Sequence, residues 1–90
     1  MNQPDNTPLG IGPGYRLQWE DAQQCHVLLY PEGMVKLNGP AGEIMSLVDG
    51  ERGMADIIRL LEEKFPGADL ADDVAEFVAG ARKQRWLVDA

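Results

Sequence analysis

Cys25 and His26 stand side by side and are the only cysteine and the only histidine in the chain. A thiol beside an imidazole is the pattern of an activated nucleophile. Cys25 to Tyr30, however, reads as a strand, and neighbours on a strand point to opposite faces. The two side chains are therefore expected apart, Cys25 inward and His26 outward, and no dyad is expected. One Cys, one His and scattered carboxylates give none of the usual metal-ligand spacings. Asp69, Asp72, Asp73 and Glu76 form an acidic run. It lacks the central glycine and terminal glutamate of a calcium loop. It fits better as the start of a helix, with Asp69 as the cap and Asp72 and Asp73 favourably placed against the helix dipole. Gly10, Gly12 and Gly14 resemble a phosphate loop only loosely, since no strand is expected before them. No catalytic constellation, cofactor or metal is expected.

Function then moves from reacting groups to surfaces, and to the elements that carry them. Tyr15 to Glu20 alternates, with Tyr15, Leu17 and Trp19 on one side and Arg16, Gln18 and Glu20 on the other, which is the period of a half-buried strand. Cys25 to Tyr30 is rich in residues that suit a pleated surface. Pro31 and Gly33 supply a tight turn, and Met34 to Leu37 forms a third strand. Asn38-Gly39-Pro40 is a helix start, a capping side chain followed by proline near the first helical position. Ala41, Ile44, Met45 and Val48 follow at helical spacing, and Asp49-Gly50 ends the run. Met54, Ile57, Ile58, Leu61 and Phe65 mark a second helix, closed by Pro66-Gly67. Leu70, Val74, Phe77, Val78 and Ala81 are the apolar stripe of a third. Trp86-Leu87-Val88 closes the chain as an extended segment or a packed turn.

The reading is an α+β, winged-helix-like domain, a three-stranded antiparallel sheet followed by three helices. Residues 1–14 are expected as a flexible arm, docking at Leu9 and Ile11, and 15–90 as a single domain.

Composition narrows the partners. Fifteen acidic and eight basic residues give a net charge of −7. A nucleic-acid binder must neutralise phosphates, so nucleic acid and anionic membrane are disfavoured. One cysteine excludes an internal disulfide, no apolar run nears the roughly 18 residues of a membrane span, and the first residues lack a signal-peptide layout. Together these place the protein in the cytoplasm.

The segment Leu29-Tyr30-Pro31-Glu32-Gly33-Met34-Val35-Lys36-Leu37-Asn38 is the most informative in the chain. Its strand leaves directly for a helix and so lies at a sheet edge, where unpaired N–H and C=O groups can pair with another chain. Lys36 on that edge either discourages aggregation or meets an acidic side chain of a bound peptide. Gly80 interrupts a helix at a cost of about 1 kcal/mol relative to alanine. Either helices pack closely there, or room is kept for another backbone.

Leu29-Tyr30-Pro31-Glu32-Gly33, Leu37-Asn38, Asp49-Gly50, Asp73-Val74 and Trp86-Leu87, in this order and spacing, resemble the pyrroloquinoline quinone biosynthesis protein D family. Tyr15 to Trp19 is similar to that family's opening strand. The resemblance implies a non-enzymatic peptide chaperone. It would bind the precursor peptide of the quinone cofactor and present it to a radical S-adenosylmethionine enzyme that joins a glutamate and a tyrosine side chain. It also implies strand addition at the third strand, against the third helix. Carried onto this chain, Met34, Val35, Lys36 and Leu37 supply the edge, with the Val35 N–H as a candidate pairing group. Val74, Phe77 and Val78 line an apolar wall, and Gly80 allows close approach. Arg82, Lys83 and Arg85 face acidic peptide residues or the enzyme. A winged helix-turn-helix regulator is the alternative function. A monomer and a strand-exchanged dimer both remain open, since a free edge and a loose arm permit exchange.

Overall fold

A computed structural model describes residues 6–90. The elements run β1 (Leu9–Ile11), β2 (Arg16–Glu20), β3 (Cys25–Tyr30), β4 (Gly33–Lys36), α1 (Gly39–Ser46), α2 (Met54–Lys64), α3 (Ala71–Lys83) and β5 (Leu87–Asp89). β2, β3 and β4 form an antiparallel meander in that order, followed by the three helices. This is the α+β arrangement read from the sequence. Leu17 pairs with Leu28, and Leu28 with Val35. That register turns all three side chains toward the helices, where Leu28 is fully buried.

The helices begin where local chemistry allows. The Asn38 side-chain oxygen accepts a 2.8 Å hydrogen bond from the Ala41 N–H, with Pro40 in the first turn. Proline there forfeits no helical hydrogen bond, because the first N–H groups have no partner inside the helix. At α2 the Asp56 carboxylate accepts from the Gly53 N–H at 3.2 Å. Asp69 does not cap α3. The cap is Leu70, whose N–H donates to Glu62 Oε2 at 3.0 Å. A carboxylate reaching across from α2 thus replaces the local cap. Asp72 and Asp73 occupy the first turn as expected, and Arg82 and Lys83 the last, both favourable to the dipole.

The segment read as a flexible arm is tied into the fold from Leu9 onward; residues 1–5 lie outside the described residues. β1 pairs antiparallel with β5, Leu9 opposite Asp89 and Ile11 opposite Leu87. The other edge of β1 is bonded to the α1–α2 loop, Leu9 N–H to Arg52 O and Gly50 N–H to Leu9 O, both at 2.9 Å. Leu9 and Leu87 are buried in the core with Met45, Ile57 and Val74. The strap depends on Gly12. A Cβ there would collide with the Arg85 carbonyl oxygen, and the Gly12 N–H donates to Trp86 O at 2.8 Å. Only a residue without a side chain lets the two backbones meet this closely.

One inward–outward assignment is reversed. His26, not Cys25, faces the helices, since its Nδ1 would lie 2.9 Å from a Cβ on Gly42 of α1. Trp19 lies on the same side of its strand as Leu17, yet it is 49% exposed. It does share the helix-facing side, but the bare backbone of Gly42 admits the His26 ring in front of it. Trp19 stacks edge-on against that ring, centroids 5.0 Å apart.

Candidate functional site

β4 is bonded to β3 on one side only, and its other side carries no strand among the described residues. The direction of each backbone group follows from the ladder. Leu37 N–H donates to His26 O at 3.0 Å, so residues 26 and 37 form a hydrogen-bonded pair. Such pairs alternate along an antiparallel ladder. Val35, opposite Leu28, therefore directs its N–H and C=O at β3. Met34 and Lys36 direct theirs away from the sheet. The donor–acceptor row offered to a second chain belongs to Met34 and Lys36, and Val35 is corrected from a pairing residue to a ladder residue. Its side chain is half-buried against the core. Leu37 is buried, 4% exposed, and its N–H is taken by His26, so it offers no backbone donor to a second chain. Met34 is 51% exposed.

α3 runs antiparallel to β4 across a groove. Near the Gly33 end, Tyr30 stacks with Tyr15 at 5.6 Å, and the Tyr15 hydroxyl lies 3.5 Å from Gln84 O. Near the other end, Val35, Lys36 and Leu37 face Asp73, Phe77 and Trp86 around about 340 Å³ of open volume. The groove continues along α3 past Glu76, Gly80 and Gln84. Gly80 has nothing within 4 Å of where a Cβ would stand. Close helix packing is therefore not its reason, and the helix surface there is open to an approaching chain.

The apolar stripe of α3 divides cleanly. Val74 and Val78, 1% and 3% exposed, belong to the core and do not line the β4–α3 groove. Phe77, half-buried, is what α3 presents to the groove. Trp86 faces it from the turn after α3, a position that carried no signal in the stripe because it lies beyond the helix. A left-handed residue, Arg85 at φ 66°, turns the chain there, and such corners are hard to read from sequence alone.

The basic cluster also divides. Arg82 holds Asp89 of β5 at 2.6 Å, which commits it to the fold. Lys83 and Arg85 are exposed. Asp73 borders the end near Leu37, and Glu76 stands further along α3 beside Gly80 and Gln84. No group of three or more His, Cys, Asp or Glu is placed to hold a metal among the described residues.

The model of the family "Coenzyme PQQ synthesis protein D (PqqD)" matches residues 25–87. The match spans β3, the open strand and all three helices. The chain belongs to the PqqD family. A PqqA binding protein of Azotobacter vinelandii is 55% identical over 75 residues, 82% of each chain. PqqA binding protein 1 of Pseudomonas putida is 54% identical over 77 residues, 84% of this chain and 85% of that one. A solution structure of the PqqD part of Methylobacterium extorquens PqqCD superposes with a TM-score of 0.71 at 28% identity, over 89% of this chain and 87% of that one. That protein is described as a functional, stand-alone recognition element for ribosomally made, post-translationally modified peptides.

Proposed function

We propose that this PqqD-family chain is the precursor-peptide chaperone of pyrroloquinoline quinone biosynthesis. It captures the peptide as an added strand on β4 and presents it to a radical S-adenosylmethionine enzyme, acting as a binder and not as a catalyst. The observation that carries this reading is the pairing of an unoccupied β4 edge with an apolar groove wall, Phe77 and Trp86. Backbone bonds from Met34 and Lys36 supply affinity, and alternate peptide side chains enter the groove, where they are selected by shape and charge. The relatives named for binding PqqA support the choice of ligand. Lys83 and Arg85 are free to meet acidic groups of the peptide or the enzyme.

The reading as a winged helix-turn-helix regulator is disfavoured by the net charge of −7 and by Asp73 and Glu76 along α3, which would repel phosphates. No helix among the described residues is long and apolar enough to cross a membrane, and the cytoplasm, where precursor peptides are made, is the proposed compartment.

The test is titration of isotope-labelled protein with synthetic precursor peptide. The amide signals of Met34 and Lys36 should shift and become protected from exchange, together with Phe77 and the Trp86 indole. Saturable binding that leaves these four signals in place refutes the site.

A further inference from the structure

Beyond the Leu37 end of β4 lies a second apolar hollow of about 380 Å³, between the three helices. Its floor and walls are carbon: Pro40, Ile44, Leu61, Phe65, Leu70 and Val74. Phe65 is 44% exposed, so one face of its ring is open to solvent at this hollow. The mouth is rimmed by Glu43, which holds Lys64 at 2.7 Å, and by Asp73, which is exposed and has no partner among the described residues. Pro40, Ile44 and Asp73 line both this hollow and the β4–α3 groove, so the two form one continuous channel.

We propose that this hollow is a second subsite for the precursor peptide, taking one bulky apolar side chain from the stretch that runs past the end of β4. The proposal rests on the peptide-binding reading above. Three observations choose this occupant. A strand added to β4 advances about 3.3 Å per residue, and continuing past Lys36 carries it toward Pro40 and Asp73. The lining offers an apolar side chain burial from water with no polar group to desolvate beneath it. The unpartnered Asp73 at the junction favours a basic peptide residue next to the buried one. A second copy of this chain is a poorer occupant, because each copy carries −7 and would bring that charge to an acidic rim.

Two variants test the subsite without touching the β4 edge. Phe65→Ala removes an exposed wall. Gly39→Leu adds bulk at the mouth, where a Cβ on Gly39 meets nothing within 4 Å. Precursor-peptide affinity is measured by calorimetry and the Met34 and Lys36 amides are followed in the same samples. The expected result is a loss of about tenfold in affinity for each variant, with the Met34 and Lys36 shifts retained at saturation. An alanine scan of the peptide should then find one apolar position whose effect disappears in Phe65→Ala, as a double-mutant cycle requires. Affinity within twofold of the parent for both variants, with Met34 and Lys36 still responding, overturns the subsite and leaves the groove standing. A change confined to self-association or to enzyme binding also overturns it, by assigning the hollow to another occupant. Absence of any Met34 and Lys36 response in the parent protein would instead remove the groove reading, and the subsite with it.

Discussion

Proline placed at 35 and at 36 should produce opposite phenotypes, because the two N–H groups point to opposite sides of β4. In Lys36→Pro the lost N–H faced open space, and the β3–β4 ladder keeps its bonds. Edge strands accept proline at such positions, and Val35 before it is already extended, as a residue preceding proline prefers. The free protein should fold with little change. Its complex loses one backbone hydrogen bond and leaves a peptide carbonyl without its partner. That costs about 1–3 kcal/mol, or roughly 5- to 150-fold in affinity. Lys36→Gln controls for the charge and should cost far less. In Val35→Pro the lost N–H belonged to the Leu28 pair, so the ladder loses a bond in front of a fully buried residue and leaves its carbonyl unpaired, at about 1–3 kcal/mol. Calorimetry with precursor peptide reads the first effect and thermal unfolding the second. If Lys36→Pro binds as tightly as Lys36→Gln, while Val35→Pro stays folded and loses binding, the assigned alternation of the ladder is wrong.

Three further expectations follow from features of the fold. Leu9→Ala should destabilise the free protein by about 2–5 kcal/mol, the range for emptying a fully buried leucine site, measurable by urea denaturation; a loss under 0.5 kcal/mol would mean that β1 is dispensable. Gly80→Ala should stabilise by up to about 1 kcal/mol through helix propensity, whereas Gly80→Leu should weaken peptide binding by filling the open flank of α3; equal affinity for both would show that the peptide does not approach there. Asp49 accepts backbone hydrogen bonds from Arg52 and Glu51, and these hold its carboxyl below the ordinary value of 3.8. Its folded value is the lower one, so its contribution is complete above the unfolded value and fades as pH falls through the folded one. Asp49→Asn should therefore flatten the acid limb of a stability–pH curve below about pH 4, and an unchanged acid limb would contradict the assignment.

Much of this architecture is legible in the residues because local and long-range preferences agree. Asn38-Gly39-Pro40 announces α1, and Pro31 with Gly33 announces the hairpin into an edge strand. What escaped reading depends on contacts between distant segments. β1 is three residues long, and its partner lies some eighty residues away, so no local period reveals it. Trp19 and His26 look alike in any alternation pattern until the bare surface of Gly42 is brought over them. Val74 and Phe77 belong to one stripe by spacing, and only the placement of β4 divides that stripe into core and groove. Arg82 seems one of three equivalent basic residues until β5 brings Asp89 within reach.

The pairing of Leu9 with Asp89 sets a timetable for the newborn protein. During synthesis at about 5–20 residues per second, Leu9 waits several seconds for its partner to be translated. Its apolar side chain lacks its final burial for all that time. Trp86 follows β4 by a long interval too, so the wall it forms is missing from every nascent chain that has not yet reached it. Ligand capture and completion of the core therefore arrive together, and a ribosome stalled before Trp86 would hold a chain that can neither finish its core nor close on its guest.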